Sequence, residues 1–326
     1  MEQTFDVTAL QYPFPFATNP YAAAAESKIG GWIEAYYGFL PEKVKKKYMH
    51  TGVGLAAGCM FPRANAEQLT AICRFFLWAF IVDDSFEYAM VEEIRQIRGN
   101  ALPIMRGHQA KPATALYQQL PLLRRELLSF SSEAWINRFC NSLDGYFDGV
   151  EMEIPYRVNM KYPDFETFYA IRERAVNVEP LVNLAEAITG TIIPGAILAH
   201  PTLQQLSQLT CRILSWCNDL FSAHLEKGND VLNLVLMIEH VQNCTLDEAY
   251  RKALSIHDGD VASFSALRTN LPDCGLYQEA VVDYVENLAL MIHGYLHWTL
   301  IYTQRYRSNG HPSRELKEDH MKTAQL

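Results

Sequence analysis

Residues 71–87 read Ala-Ile-Cys-Arg-Phe-Phe-Leu-Trp-Ala-Phe-Ile-Val-Asp-Asp-Ser-Phe-Glu. A run with the composition of buried core ends in the carboxylates Asp83, Asp84 and Glu87. On a helix, Asp83 and Glu87 stand one turn apart on one face, and Phe80 and Phe76 extend that face backwards at spacings of three and four. A simple amphipathic helix sets its charges opposite the apolar stripe; here the charges continue it. Clustered carboxylates repel one another, and anions near a helix C-terminus oppose its dipole. Either the helix reaches solvent there and the carboxylates are hydrated, or they face a bound cation at the rim of an apolar space.

A second stretch, residues 215–228 ("SWCNDLFSAHLEKG"), favours the cation. Asn218, Ser222 and Glu226 are spaced i, i+4, i+8 on one helical face, with the apolar Leu214 and Cys211 upstream. An amide carbonyl, a hydroxyl and a carboxylate are hard oxygen donors of the kind Mg²⁺ prefers, and Mg²⁺ commonly shares its shell with substrate phosphates. Asn and Ser are mediocre helix formers in an interior, so their use there points away from local stability. Two such faces would hold Mg²⁺ at the mouth of an apolar pocket suited to a diphosphate head and a hydrocarbon tail.

The rest of the chain reads as one all-α domain spanning 1–326, about ten helices enclosing a central space, with an N-terminal arm over 1–20 and a polar C-terminal tail over 309–326. Apolar residues recur at three and four from about residue 21, and strand-like alternation is nearly absent. The periodicity predicts helices near 21–38, 65–94, 113–128, 132–151, 164–189, 202–226, 231–242, 246–256 and 276–308. Turn chemistry separates them at 61–65, 106–112, 159–164, 190–195 and 227–230; Asp164 and Thr202 are candidate N-caps, and Pro180 should kink or end its helix.

A net charge of −9 with no Lys/Arg block argues against a nucleic-acid groove. It also means that an anionic substrate would need local metal and a few placed arginines. The seven scattered cysteines read as reduced core thiols. The first residues lack the basic and apolar regions of a signal peptide, and no uninterrupted apolar run reaches the ~18 residues of a membrane span. The expectation is a soluble, cytoplasmic protein. His293 and His297, one turn apart, lack a third ligand for a transition-metal site.

These residues resemble the two metal-binding motifs of class I terpene synthases of the bacterial type, an aspartate-rich "DDxx(x)(D/E)" and "NDxxSxxxE". Asn218-Asp219, Ser222 and Glu226 match every defined position of the second, 135 residues after Asp83. Arg172 lies 46 residues before Asn218, where such enzymes carry a diphosphate-sensing arginine. It closes a pattern running from Glu153 through Pro163 and Tyr169, although Arg174 is an alternative sensor. Arg305-Tyr306 resembles the family's diphosphate-gripping pair, and "PFPFATNP" its N-terminal arm; the resemblance covers about residues 12–308. It departs at Leu225, where many members carry Lys before the final Glu, which leaves the role of Lys227 open. It departs also at Ala175 and Val176, beside the sensor, where members often carry a polar linker and a small effector.

The resemblance implies a class I terpene cyclase fold, metal ligation by Asp83, Asp84, Glu87, Asn218, Ser222 and Glu226, and a cluster of three Mg²⁺ ions. It implies catalytic and diphosphate-binding roles for Arg172, Arg305 and Tyr306, and a pocket wall that includes Phe76, Phe80 and Trp298, with Glu153 in an outer shell. The substrate would be a linear prenyl diphosphate, farnesyl diphosphate first. Geranylgeranyl diphosphate comes second, because Ala79 and Cys211 would leave room for a longer tail. Competing readings are a chain-elongating prenyltransferase, which the Asn/Ser/Glu form of the second motif disfavours, and a non-catalytic isoprenoid-binding protein. A homodimer is possible on the family's habit.

Overall fold

The computed structural model describes residues 10–86, 89–108, 114–307 and 309–313. Fourteen α-helices and no β-strand occur among them. In chain order, α1 (Ala22–Tyr36), α2 (Glu42–Met49) and α3 (Val53–Met60) precede α4 (Ala66–Phe86), the helix of the first acidic motif. Next come α5 (Val91–Met105), α6 (Leu120–Leu128), α7 (Glu133–Asn159), α8 (Phe165–Ala175) and α9 (Glu179–Ala187). The short α10 (Gly195–Leu198) leads into α11 (Pro201–Glu226), the helix of the second motif, followed by α12 (Leu234–Gln242), α13 (Leu246–Arg268) and α14 (Gln278–Ile301).

Helices α4, α11 and α14 are apolar on most of their circumference and are accordingly buried along most of their length. They stand with α3, α7 and the α8–α9 break around a central cavity of about 570 Å³. The other helices pack outside: α13 covers α11 and α12, α5 covers α7, and α1 covers α3. The arm binds across α13 and α14. Tyr12 Oη lies 2.9 Å from His257 Nε2, the ring of Phe14 packs edge-on against Phe264, and His293 Nδ1 donates to the Phe14 carbonyl at 2.7 Å. His297 stacks on Phe16. Three histidines, His257, His293 and His297, thus hold the arm.

Several expected boundaries move. The helix expected over 65–94 stops at Phe86, and a new one starts at Val91, where the Glu93 carboxylate accepts the Met90 N–H and caps the turn. Two adjacent glutamates look like a continuing polar face, which hid this start. The short α2 and α3 escape a reading that searches for long periodic runs, and α7 runs on through Pro155 to Asn159. The 164–189 segment does break, at 176–178, and Pro180 sits in the first turn of α9, where its missing N–H costs nothing. Asp164 caps α8 through the Thr167 N–H, whereas α11 is capped by His200, one residue before Pro201, and Thr202 lies inside the helix.

Helices α3 and α14 touch at Gly294. A Cβ there would stand 2.0 Å from the Cys59 carbonyl oxygen, a backbone atom that cannot swing aside. The same contact brings Trp298 Nε1 to the Thr51 and Gly52 carbonyls at 3.1 and 2.9 Å. Gly294→Ala should therefore destabilise the fold by about 1–3 kcal/mol or more, read as a lowered midpoint in thermal or urea unfolding. Gly259, with nothing near its Cβ position, is the tolerant control.

Candidate active site

The second motif faces the cavity as one stripe of α11: Leu214, Asn218, Ser222 and Glu226 all line it. From α4 come Phe76, Ala79, Phe80, Asp83 and Asp84, and from α14 Tyr295 and Trp298. Arg172, Arg305 and Tyr306 complete the charged rim. The structure thus brings together every site residue inferred from sequence that lies within the described residues; Glu87 lies outside them. Arg174 is exposed beside Met152 and takes no part in the wall, so Arg172 is the arginine facing the cavity. Lys227 points away and pairs with Glu239. Cys211 is buried below the lining, which removes one of the two small residues argued to leave room for a longer tail; Ala79 remains.

The two neighbouring aspartates have different environments. Asp84 is 2 % exposed and receives both terminal nitrogens of Arg305 at 2.6 and 2.9 Å and the Tyr48 hydroxyl at 2.6 Å. Burial alone would raise its carboxyl, but the Arg305 charge beside it holds it below the ordinary aspartate value. Asp83 opens into the cavity and accepts one hydrogen bond, from Tyr146 at 2.7 Å. The protein enclosing it and the charge on Asp84 push it up to about 6. Asp84 is thus committed to an ion pair, and Asp83 is the carboxylate left for a ligand.

Arg172 is paired in the same manner, its Nη2 donating to Asp219 Oδ1 at 2.5 Å. The second aspartate oxygen accepts the Leu234 N–H at 2.8 Å. Asn218 Nδ2 donates to the hydroxyls of Tyr306 at 2.8 Å and Tyr295 at 3.2 Å, leaving its carbonyl oxygen for another partner. The guanidinium of Arg305 lies over the Phe80 ring at 4.9 Å, and the Phe80 ring stacks on Trp298 at 5.9 Å. Residues 309–313 are no detached tail. His311 Nε2 accepts from Arg305 at 2.8 Å, and both His311 and Ser313 line the cavity.

The donor set fits a divalent cation. Among the described residues, five carboxylates but only three guanidiniums line the cavity. Burial raises Glu153 to about 7 against the pull of Arg157 and Arg172, and burial followed by Asp230 and Asp219 raises Glu226. Burial is the first cause of both shifts, and a cation bound beside these carboxylates would oppose it. On the anion side, Arg172 Nε and Arg157 Nε are buried without an acceptor among the described residues. No three His, Cys, Asp or Glu side chains there form a closed metal cage. That is consistent with ligands that include an amide and a hydroxyl and are spread over α4 and α11.

Sequence reading missed Asp219, Tyr295, His311 and Arg157 as parts of the rim. Asp219 stood inside the matched motif, but its partners Arg172 and Leu234 become visible only when α8 and α12 meet α11.

An all-helical bundle around an apolar cavity, with oxygen donors and arginines gathered at one rim, defines a class I terpenoid synthase. The chain belongs to the terpene synthase family: the profile "Terpene synthase family 2, C-terminal metal binding" matches residues 74–263, more than half of its length. It is 30% identical over 320 residues to a (+)-T-muurolol synthase of Roseiflexus castenholzii, covering 94% of this chain and 95% of that one. It is 26% identical over 319 residues to the germacrene A synthase of Nostoc punctiforme, covering 95% and 97%. Its fold is shared with the SVS_A2 protein from ancestral sequence reconstruction, at a TM-score of 0.81, 20% identity and coverage of 92% of each chain. No helix among the described residues is long and apolar enough to cross a membrane.

Two predictions test the site's electrostatics without substrate. Asp84→Ala strands Arg305 in a buried position and should cost about 3–5 kcal/mol of stability. Asp83→Ala should leave the unfolding midpoint near the parent's, and equal midpoints for the two variants would contradict the assignment. Glu153 has a folded value above the ~4.3 of a free glutamate, so its contribution is present at low pH and lost as pH rises through about 7. In chelator, Glu153→Gln should remove that loss, gaining stability relative to the parent between about pH 5 and about pH 8. A constant difference across that window would refute the direction.

Proposed function

We propose that this enzyme takes farnesyl diphosphate, ionises it with Mg²⁺, and cyclises the resulting cation to a cyclic terpene hydrocarbon or alcohol with release of diphosphate. The observation that carries the reading is the junction of the hard-oxygen stripe Asn218, Ser222 and Glu226 with an aromatic-lined cavity. The choice of farnesyl diphosphate is supported by the T-muurolol synthase relative, described as (2E,6E)-farnesyl diphosphate cyclizing and alignable over nearly the whole chain.

In this reading Asn218, Ser222 and Glu226 of α11 and Asp83 of α4 would hold the metal. Bound Mg²⁺ supplies Lewis-acid stabilisation of the leaving diphosphate. Arg172 and Arg305, fixed by Asp219 and Asp84, present guanidinium N–H groups to the diphosphate oxygens, and the Tyr306 hydroxyl adds a donor. The allylic C–O bond breaks with its electron pair on diphosphate. A distal double bond then attacks the cation, and proton loss or water capture ends the sequence. Phe76, Phe80 and Trp298 exclude water from the cation and offer π-faces, each worth about 0.5–2 kcal/mol. One ring is partly engaged already, since Phe80 carries Arg305.

Incubation with farnesyl diphosphate and Mg²⁺ should give a cyclic C15 product by gas chromatography–mass spectrometry, lost with chelator. Asn218→Ala should lower turnover by about a hundredfold or more while keeping the parent's helical circular dichroism. Only longer linear products, formed when isopentenyl diphosphate is added, would replace cyclisation by prenyl transfer.

A further inference from the structure

Asn233, in the loop between α11 and α12, is fully buried, and the two ends of its amide make opposite kinds of contact. Its Oδ1 accepts the N–H groups of Val235 at 2.9 Å and Leu236 at 3.4 Å, capping α12. Its Nδ2 donates towards the Asp219 carbonyl at 2.9 Å, Ser222 Oγ at 3.3 Å and Glu226 Oε2 at 2.9 Å. The reversed amide would aim a carbonyl at a carboxylate and an NH₂ at two N–H donors, so the network fixes its orientation.

We infer that Asn233 is a positioning residue for the second motif, holding Ser222 and Glu226 in the arrangement that receives metal. Ser222 and Glu226 stand on successive turns of α11, and the end of α11 gives way directly to the 227–233 loop. Glutamate is a flexible side chain whose carboxylate takes up a fixed orientation only where a partner holds it. One N–H from Asn233 on Oε2 restrains the Glu226 carboxylate. The neighbouring Leu234 N–H holds Asp219, which in turn holds Arg172. A single turn of backbone at the start of α12 thus ties the metal stripe and the facing arginine to one support. Aspartate at 233 would cap the helix but set a second carboxylate against Glu226, and a serine or threonine would cap it but fall short of Glu226. Among cap-forming side chains, asparagine alone supplies both the acceptor and the reach of a neutral donor.

The inference rests on the reading that Ser222 and Glu226 hold Mg²⁺, and the test separates the two. Parent, Asn233→Ser and Asn233→Thr are compared in chelator by thermal unfolding, then titrated with Mg²⁺ in the presence of inorganic diphosphate by calorimetry. Serine ranks with asparagine as a cap, so metal-free unfolding should stay close to the parent's. The half-saturating Mg²⁺ concentration should rise by about 10–100-fold, the usual effect of removing a group that orients a ligand. If the serine variant unfolds early, the threonine variant, which fills more of the space, carries the comparison. Variants that bind Mg²⁺ as the parent does, whatever their stability, reduce Asn233 to a helix cap and overturn the inference alone. A parent that binds no Mg²⁺ with diphosphate overturns the metal reading and the inference with it.

Discussion

A guanidinium withdrawn from water must be given a counter-charge, and this protein does so twice at the rim of one cavity. Arg305 is held by Asp84 and Arg172 by Asp219, each through a carboxylate that is itself 1–2 % exposed. The pairs also fix geometry. One ties the segment after α14 to α4, and the other ties α8 to α11, so the wall that carries the metal donors cannot shift without separating buried charges. Asp84 and Asp219 take up the charge of these two arginines, Glu153 keeps Arg157 at 3.2 Å, and burial above all drives Asp83, Glu153 and Glu226 upward in pKa. Under the proposed function, a bound metal would supply the positive charge that these buried carboxylates favour.

The apolar half of the cavity is joined to the charged half through aromatic contacts. Phe61 packs edge-on against Phe76 and Phe76 against Phe80, Phe80 stacks on Trp298, and Arg305 lies over Phe80. Trp298 is anchored to the backbone before α3, which the bare Gly294 allows α14 to approach closely. Pocket shape and diphosphate grip are therefore set by the same packing. That coupling suits a reaction in which ionisation must coincide with enclosure of the cation.

Much of this was legible in the chain. The i, i+4, i+8 spacing of Asn218, Ser222 and Glu226 alone set three donors on one face, and Phe76, Phe80 and Asp83 do share a stripe of α4. Long periodic segments located the wall-forming helices. What escaped the reading depends on contacts between distant residues or on one side chain. Asp83 and Asp84 are chemically identical in sequence, and only the rotation of α4 gives one to the cavity and the other to Arg305. Asn233 falls inside the helix expected over 231–242, and only the start of α12 at Leu234 makes it a cap facing α11. His311 reads as tail until residues 309–313 lie over the rim. The start of α5 turns on a single Glu93 side chain reaching back to Met90.

The proposed function requires the rim to gather metal and diphosphate between α4 and α11 with both arginines on the anion. The most direct measurement is a crystal structure with inorganic diphosphate and Mn²⁺ in place of Mg²⁺, the metal located by its anomalous scattering. Anomalous peaks are expected within coordination distance of Asn218, Ser222 and Glu226 and of Asp83, with Arg172 and Arg305 hydrogen-bonded to the diphosphate. Metal held elsewhere, or diphosphate bound with neither arginine in contact, would contradict that function.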